Sequence, residues 1–388
     1  MYPHQTERLT EVAEHEGLDV LVATSAANVQ YVTGFSSMVH ALFETLHFAV
    51  WSLHGTALVV PAIDVAAVVG DGIGVDHVVP FGDFIAGSGT GAVADRIRAL
   101  SDRRTASPEE ALSAALHALG LDTGRIGLDE GSVTPSTWEA LVARLGAGRV
   151  APAAELFQAA RRVKSPYEIE CLERSLHIAE EALNAVIQML KPGVTEREAV
   201  AVYESEILKR DATTYPSIIA IGDRAAIPAP WPSERALRPG NLVRLDVGCV
   251  YKGFCSNVGR MAVMGGPDAR QQAVFDAVQG GLEAALAAVK PGVPAARCFE
   301  AAIAATRAGG LPEFQRHHVG HGIGLEHYER PTLAAGVTTT LEMGEVLRVE
   351  VPYYQHGWAG LNVKDTVLVT RRDAHVMNRS LRGLVVLD

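Results

Sequence analysis

Apolar positions in the first part of the chain fall in short, dense runs. Val20-Leu21-Val22-Ala23, Phe48-Ala49-Val50-Trp51 and Ala57-Leu58-Val59-Val60 are contiguous and rich in β-branched residues, the pattern of strands buried on both faces. From Pro108 to Leu119 the pattern changes: Ala and Leu recur at helical spacing. Strands alternating with helices predict an α/β domain over residues 1–160.

A second domain, residues 161–388, opens on Ser165-Pro166-Tyr167-Glu168, which offers a capping residue, Pro at the first helical position and Glu two places later. A long amphipathic helix follows from that signature. Lys191-Pro192-Gly193-Val194 is then echoed by Lys290-Pro291-Gly292-Val293, each ending one helical stretch and preceding another. The repetition predicts a duplicated helix-turn-helix unit. Strand-like runs follow each unit, Leu242 to Val250 and Val346 to Val351, so two α/β halves are expected to face each other across a central sheet with a pocket between them.

The 388 residues exceed what one ordinary core organises. The 48% of apolar residues are dispersed, and no run approaches the ~20 needed to cross a bilayer. The opening residues lack the basic and apolar regions of a secretory signal, so a cytoplasmic protein is expected. Cys171, Cys249, Cys255 and Cys298 fit reduced thiols, since their spacing matches neither a metal knuckle nor a CxxC pair. A net charge of −11 argues against nucleic acid and anionic membranes as partners. The glycines around His321 lack the GK[ST] ending of a phosphate loop, so no nucleotide cofactor is expected.

Four segments carry a family resemblance: Gly240 to Gly248 with Asp246, Gly253 to Arg260 with Asn257, Gly320-His321-Gly322-Ile323-Gly324, and Val349-Glu350 followed by Val363-Lys364-Asp365. Their order and spacing resemble the pita-bread superfamily of creatinase, aminopeptidase P and prolidase, of the peptidase M24 type. The first domain resembles the creatinase N-terminal domain through Asn28-Val29-Gln30-Tyr31-Val32-Thr33-Gly34-Phe35. The resemblance implies an α/β N-terminal domain plus an α+β pita-bread C-terminal domain with pseudo-two-fold duplicated halves. It also implies a homodimer in which the neighbour's N-terminal domain covers the pocket.

Metallopeptidases of this type hold two divalent ions with Asp, Asp, His, Glu and Glu. Carried over, the resemblance keeps Asp246, His321 and Glu350 but puts Asn257 at the second Asp and Lys364 at the last Glu. Lysine offers donors and no lone pair, so it competes with a metal for the surviving carboxylates instead of binding one. The expectation is therefore a metal-free site without cofactor, with Lys364 in part of the vacated metal position. Two family histidines are also missing, replaced by Ala229 and Tyr328, while His327 stands one residue before Tyr328.

The expected function is metal-independent, creatinase-like hydrolysis of a C–N bond in a small, polar, nitrogen-containing substrate. Asp246, Glu350, Lys364, His321 and His327 are the expected catalytic residues, and Asn257, Tyr328, Glu329, Tyr215 and Trp231 the expected substrate contacts. Two alternatives stand beside it: an Xaa-Pro dipeptidase or aminopeptidase with a reduced metal site, and a non-catalytic binding protein on the same fold.

Overall fold

The computed structural model describes residues 3–43, 45–87, 89–215 and 217–388. The chain separates into two compact units, Met1–Arg161 and Arg162–Asp388.

The first unit is built on a six-stranded sheet in the order His77–Phe81, Gly55–Pro61, Phe48–Ser52, Val20–Ala23, Ile126–Leu128, Val150–Pro152. The three apolar runs of the sequence are its centre, and Val20–Ala23 is buried at every position. Continuous burial explains why these strands lack an apolar-polar alternation. Helix Pro108–Ala118 starts where the Ser107 side chain accepts from the Glu110 N–H, with Pro108 in the first turn. It buries Ala111, Leu112, Ala115 and Leu116 against Val20, Val22, Phe48 and Val50.

In the second unit, helix Pro166–Met189 begins in a complete capping box between Ser165 and Glu168, and Glu196–Leu208 repeats the device with Thr195 and Glu198. Helices Ala269–Ala288 and Ala295–Ala308 form the corresponding pair. The two Lys-Pro-Gly turns match in detail: Gly193 and Gly292 both adopt positive φ, and their N–H groups donate to the carbonyls of Leu237 and Leu341 at 2.9 and 2.7 Å. A side chain would be strained at either glycine, so the sequence echo marks equivalent turns of duplicated halves.

Each helix pair packs its apolar stripe on its own part of one nine-stranded sheet. One core holds Leu183, Tyr203, Leu245 and Val247, the other Phe275, Leu282 and Leu347. The main path of this sheet runs Glu329–Thr332, Gly320–Gly322, Val346–Glu350, Lys364–Val369, Val258–Met264, Leu242–Val247, Ile218–Ile221. The run expected as one strand from Leu242 to Val250 is two, Leu242–Val247 and Cys249–Tyr251. They part at Gly248, where a Cβ would collide with the carbonyl oxygen of Ser256. Among the described residues, no helix is long and apolar enough to cross a membrane.

Candidate active site

The register of the central sheet assembles the site. Gly259 pairs with Asp246 on one side and with Lys364 on the other, and Lys364 pairs in turn with Glu350. Residues directly opposed in a sheet project from the same face. Asp246, Lys364 and Glu350, far apart in sequence, therefore share one transverse row. Gly259 is the gap in that row: a Cβ there would lie 2.6 Å from Lys364 Cγ. Having no side chain at that point lets the lysine cross towards Asp246.

Lys364 Nζ lies 2.8 Å from Asp246 Oδ1 and 3.0 Å from Glu350 Oε2. Arg348, two residues before Glu350 and so on the same face, donates from Nη2 to Glu350 Oε1 at 3.1 Å and from Nη1 to Asn257 Oδ1 at 3.2 Å. Asn257 Nδ2 and Asn362 Nδ2 donate to the two oxygens of Asp246 at 3.4 and 3.3 Å. Arg244, again two residues away on its strand, stands 3.5 Å from Asp246 and donates to the carbonyls of Ile227 and Pro228. Burial alone would raise both carboxyls. The charge of Lys364, with Arg244 at Asp246 and Arg348 at Glu350, outweighs it and holds both below the ordinary carboxylate range, Glu350 well below.

This cluster forms the floor of a cavity of about 450 Å³, whose walls include Tyr215, Arg316, His318, His327, Tyr328 and Tyr354. Burial, then the charges of Arg348 and Lys364, pushes His327 down to about 3, so it is a neutral imidazole. Both of its ring nitrogens are buried without a hydrogen-bond partner among the described residues, and its ring meets Tyr215 edge-on at 3.6 Å. Arg316 has an unpartnered buried Nε, and no ion pair to it occurs among the described residues.

Seven of the ten residues expected from sequence line this cavity: Asp246, Glu350, Lys364, His327, Asn257, Tyr328 and Tyr215. Three do not. His321 lies behind the wall, its ring stacked on Tyr328 at 3.8 Å and its Nδ1 paired with the Gly322 carbonyl at 2.7 Å. Burial and Arg348 push it down to about 2, which makes it a poor proton relay. Glu329 is buried and paired with Lys164 at 2.8 Å, a structural contact. Trp231 is 83% exposed and lines a neighbouring hollow with Val200 and Pro232. Of the two adjacent histidines, His318 faces the cavity and His317 is exposed.

Arg244, Arg316, Arg348 and Tyr354 were not expected. Arg244-Leu245-Asp246 and Arg348-Val349-Glu350 each carry a period-two signal that places the arginine beside the acid. Arg316 and Tyr354 reach the cavity from separate segments, with no local signal. Arg260 has a structural role, donating to Asp365 at 2.9 Å and to the Lys364 carbonyl at 2.6 Å.

The donor set does not fit the two divalent ions that the family resemblance implies. Two hard cations close together need several carboxylates to offset their repulsion. Here an ammonium already contacts both surviving acids, and an amide replaces a third. Among the described residues, no group of three His, Cys, Asp or Glu side chains is placed to hold a metal ion.

A sequence model described as Metallopeptidase family M24 matches residues 170–371, and one described as Creatinase/Prolidase N-terminal domain matches residues 5–163. An uncharacterized peptidase of Bacillus subtilis, YqhT, is 28% identical over 267 residues, covering 68% of this chain and 75% of its own. The Xaa-Pro dipeptidase of Pyrococcus furiosus is 32% identical over 228 residues, 58% of this chain and 65% of its own, so the match spans slightly less than two thirds of that relative. Among solved structures, the Xaa-Pro dipeptidase from Bacillus anthracis superposes with a TM-score of 0.81 at 24% identity, covering 99% of both chains. Dipeptidase PepE from Mycobacterium ulcerans gives 0.79 at 26% identity, covering 98% of this chain and 96% of its own. With the whole fold shared and the family model spanning more than half of the sequence, this chain belongs to metallopeptidase family M24.

Proposed function

We propose that the chain hydrolyses the C–N bond of a short peptide, with Xaa-Pro dipeptides as the leading substrate class, at a site where side-chain cations stand in for a metal pair. The substrate class follows the relatives, two of which are named Xaa-Pro dipeptidases. Those names favour the peptidase alternative over the creatinase-like, small-metabolite expectation, which the comparisons do not support. Independence from metal rests on geometry alone: Lys364 Nζ within 3.0 Å of both Asp246 and Glu350.

In this reading Lys364 and Arg348 supply donors for the oxyanion that develops as water adds to the peptide carbonyl. His327, neutral and with both nitrogens free of hydrogen bonds to described residues, accepts a hydrogen bond from that water and orients it; as the C–N bond breaks, the water's proton passes to the proline nitrogen, so the products are a free amino acid and proline. Arg316, a cavity cation with no acid partner among the described residues, receives the free carboxylate of the dipeptide. The active form is taken to be a cytoplasmic homodimer acting on a small substrate, which light scattering on the purified chain checks for assembly.

The test is release of proline from Ala-Pro and Gly-Pro by protein stripped with chelator, with metal content measured in parallel. Turnover that survives stripping supports the proposal. Activity that vanishes and returns with a divalent ion refutes the metal-free site. Dipeptide binding without product supports the second reading, a non-catalytic binding protein, which the loss of the metal ligands at 257 and 364 favours.

A further inference from the structure

We propose that Arg348 and Lys364 act as a matched pair of fixed cations, one on each oxygen of Glu350, and that both must be removed before a divalent metal pair can bind. This rests on the metal-free reading above and extends it to a second residue.

Five side chains close a ring. Glu350 Oε2 meets Lys364 Nζ at 3.0 Å and Glu350 Oε1 meets Arg348 Nη2 at 3.1 Å. Lys364 continues to Asp246 Oδ1 at 2.8 Å, and Arg348 to Asn257 Oδ1 at 3.2 Å. Asn257 Nδ2 closes the circuit onto Asp246 Oδ1 at 3.4 Å. The ring holds two cations and two carboxylates, so its charges balance. Two divalent ions among four carboxylates would balance equally, which makes the departures at 257 and 364 and the presence of Arg348 parts of one exchange.

Asn257 shows why the exchange is coupled. Its carbonyl accepts from Arg348 while its amide donates to Asp246. A carboxylate at 257 has no proton to donate and would add a third negative charge to a buried ring. Replacing Lys364 alone would leave the Arg348 guanidinium on Glu350, where a second ion would have to sit against a fixed positive charge.

The experiment titrates Mn²⁺ into chelator-stripped full-length protein by calorimetry, with metal content and melting temperature as second readouts. Wild type and Lys364→Glu are expected to take no metal pair. Lys364→Glu/Asn257→Asp, which keeps Arg348, is expected to take at most one ion per chain. Adding Arg348→Ala is expected to raise this to two and to make the melting temperature rise with Mn²⁺. Two ions in the variant that keeps Arg348 would overturn the pairing while leaving the metal-free reading of the wild type intact. Two ions in the wild type would overturn both. A triple variant that stays ion-free or unfolded in excess Mn²⁺ would also overturn the pairing, and the double variant, with a cation retained, keeps the test decisive on a more readily folded chain.

Discussion

Lys364 and Glu350 are direct partners across two antiparallel strands, and their side chains meet at 3.0 Å on the cavity face of the sheet. The contact is set by strand register, so it positions the ammonium without relying on a flexible loop. Continuing the same row across Gly259 brings in Asp246, and one ammonium contacts two acids.

Lys364→Met keeps much of the side-chain volume and removes the charge, leaving Asp246 and Glu350 with fewer partners in a buried site. Stability is expected to fall by about 3–5 kcal/mol, measured by urea denaturation. Adding Glu350→Gln should recover part of that loss. An unchanged midpoint for Lys364→Met would show that the ion pairs contribute little.

Gly259→Ala puts a methyl group 2.6 Å from Lys364 Cγ and 3.1 Å from the Asn362 carbonyl oxygen. Overpacking of this kind costs about 1–3 kcal/mol and should displace the ammonium, lowering turnover together with melting temperature. Gly266→Ala, with no atom within 4 Å of the new carbon, is the control and should change neither.

Arg316→Gln should leave stability nearly unchanged, because no ion pair to Arg316 exists among the described residues. Loss of a charge-assisted contact to the substrate carboxylate, about 1.5–3 kcal/mol, predicts a rise of roughly 10- to 100-fold in KM for Ala-Pro. The amide of the same dipeptide should be insensitive to the substitution. Equal effects on both substrates would remove Arg316 from carboxylate recognition.

His40 gives the first unit a pH dependence. Burial, then the charge of His47, pushes it down to about 4, and its ring stacks on His47 at 4.3 Å. The unfolded chain takes up this proton near the ordinary value and the folded chain resists it. Stability is therefore complete above about pH 6.5 and is lost as pH falls towards 4, by about 3 kcal/mol. Asp64, which burial alone would raise, is held below its ordinary value by hydrogen bonds from His47 and Ser37, and it acts in the same direction at lower pH. Denaturation of the full chain at about pH 4.5 and about pH 7.5 measures the difference, which His40→Gln should reduce.

The buried strands and the duplicated turns were legible because each leaves a local mark: unbroken apolar runs in one case, a repeated Lys-Pro-Gly in the other. The substitutions at 257 and 364 were legible only through the family resemblance, standing where its acids were expected. Arg244 and Arg348 were overlooked in the strand-like runs Leu242 to Val250 and Val346 to Val351, although alternation placed each beside its acid. Arg316 and Tyr354 come together only through tertiary structure. His321, Glu329 and Trp231 were misplaced because residue type says nothing about which side of a wall a side chain occupies.

The transverse row also has a consequence for folding. A slip of strand Lys364–Val369 by one position would turn Lys364 to the opposite side, against Leu347 and Val349 of the neighbouring strand, and take its charge away from both acids. Correct strand alignment and completion of the pocket thus become one cooperative event, and the polar cluster works as a checkpoint against misaligned sheets.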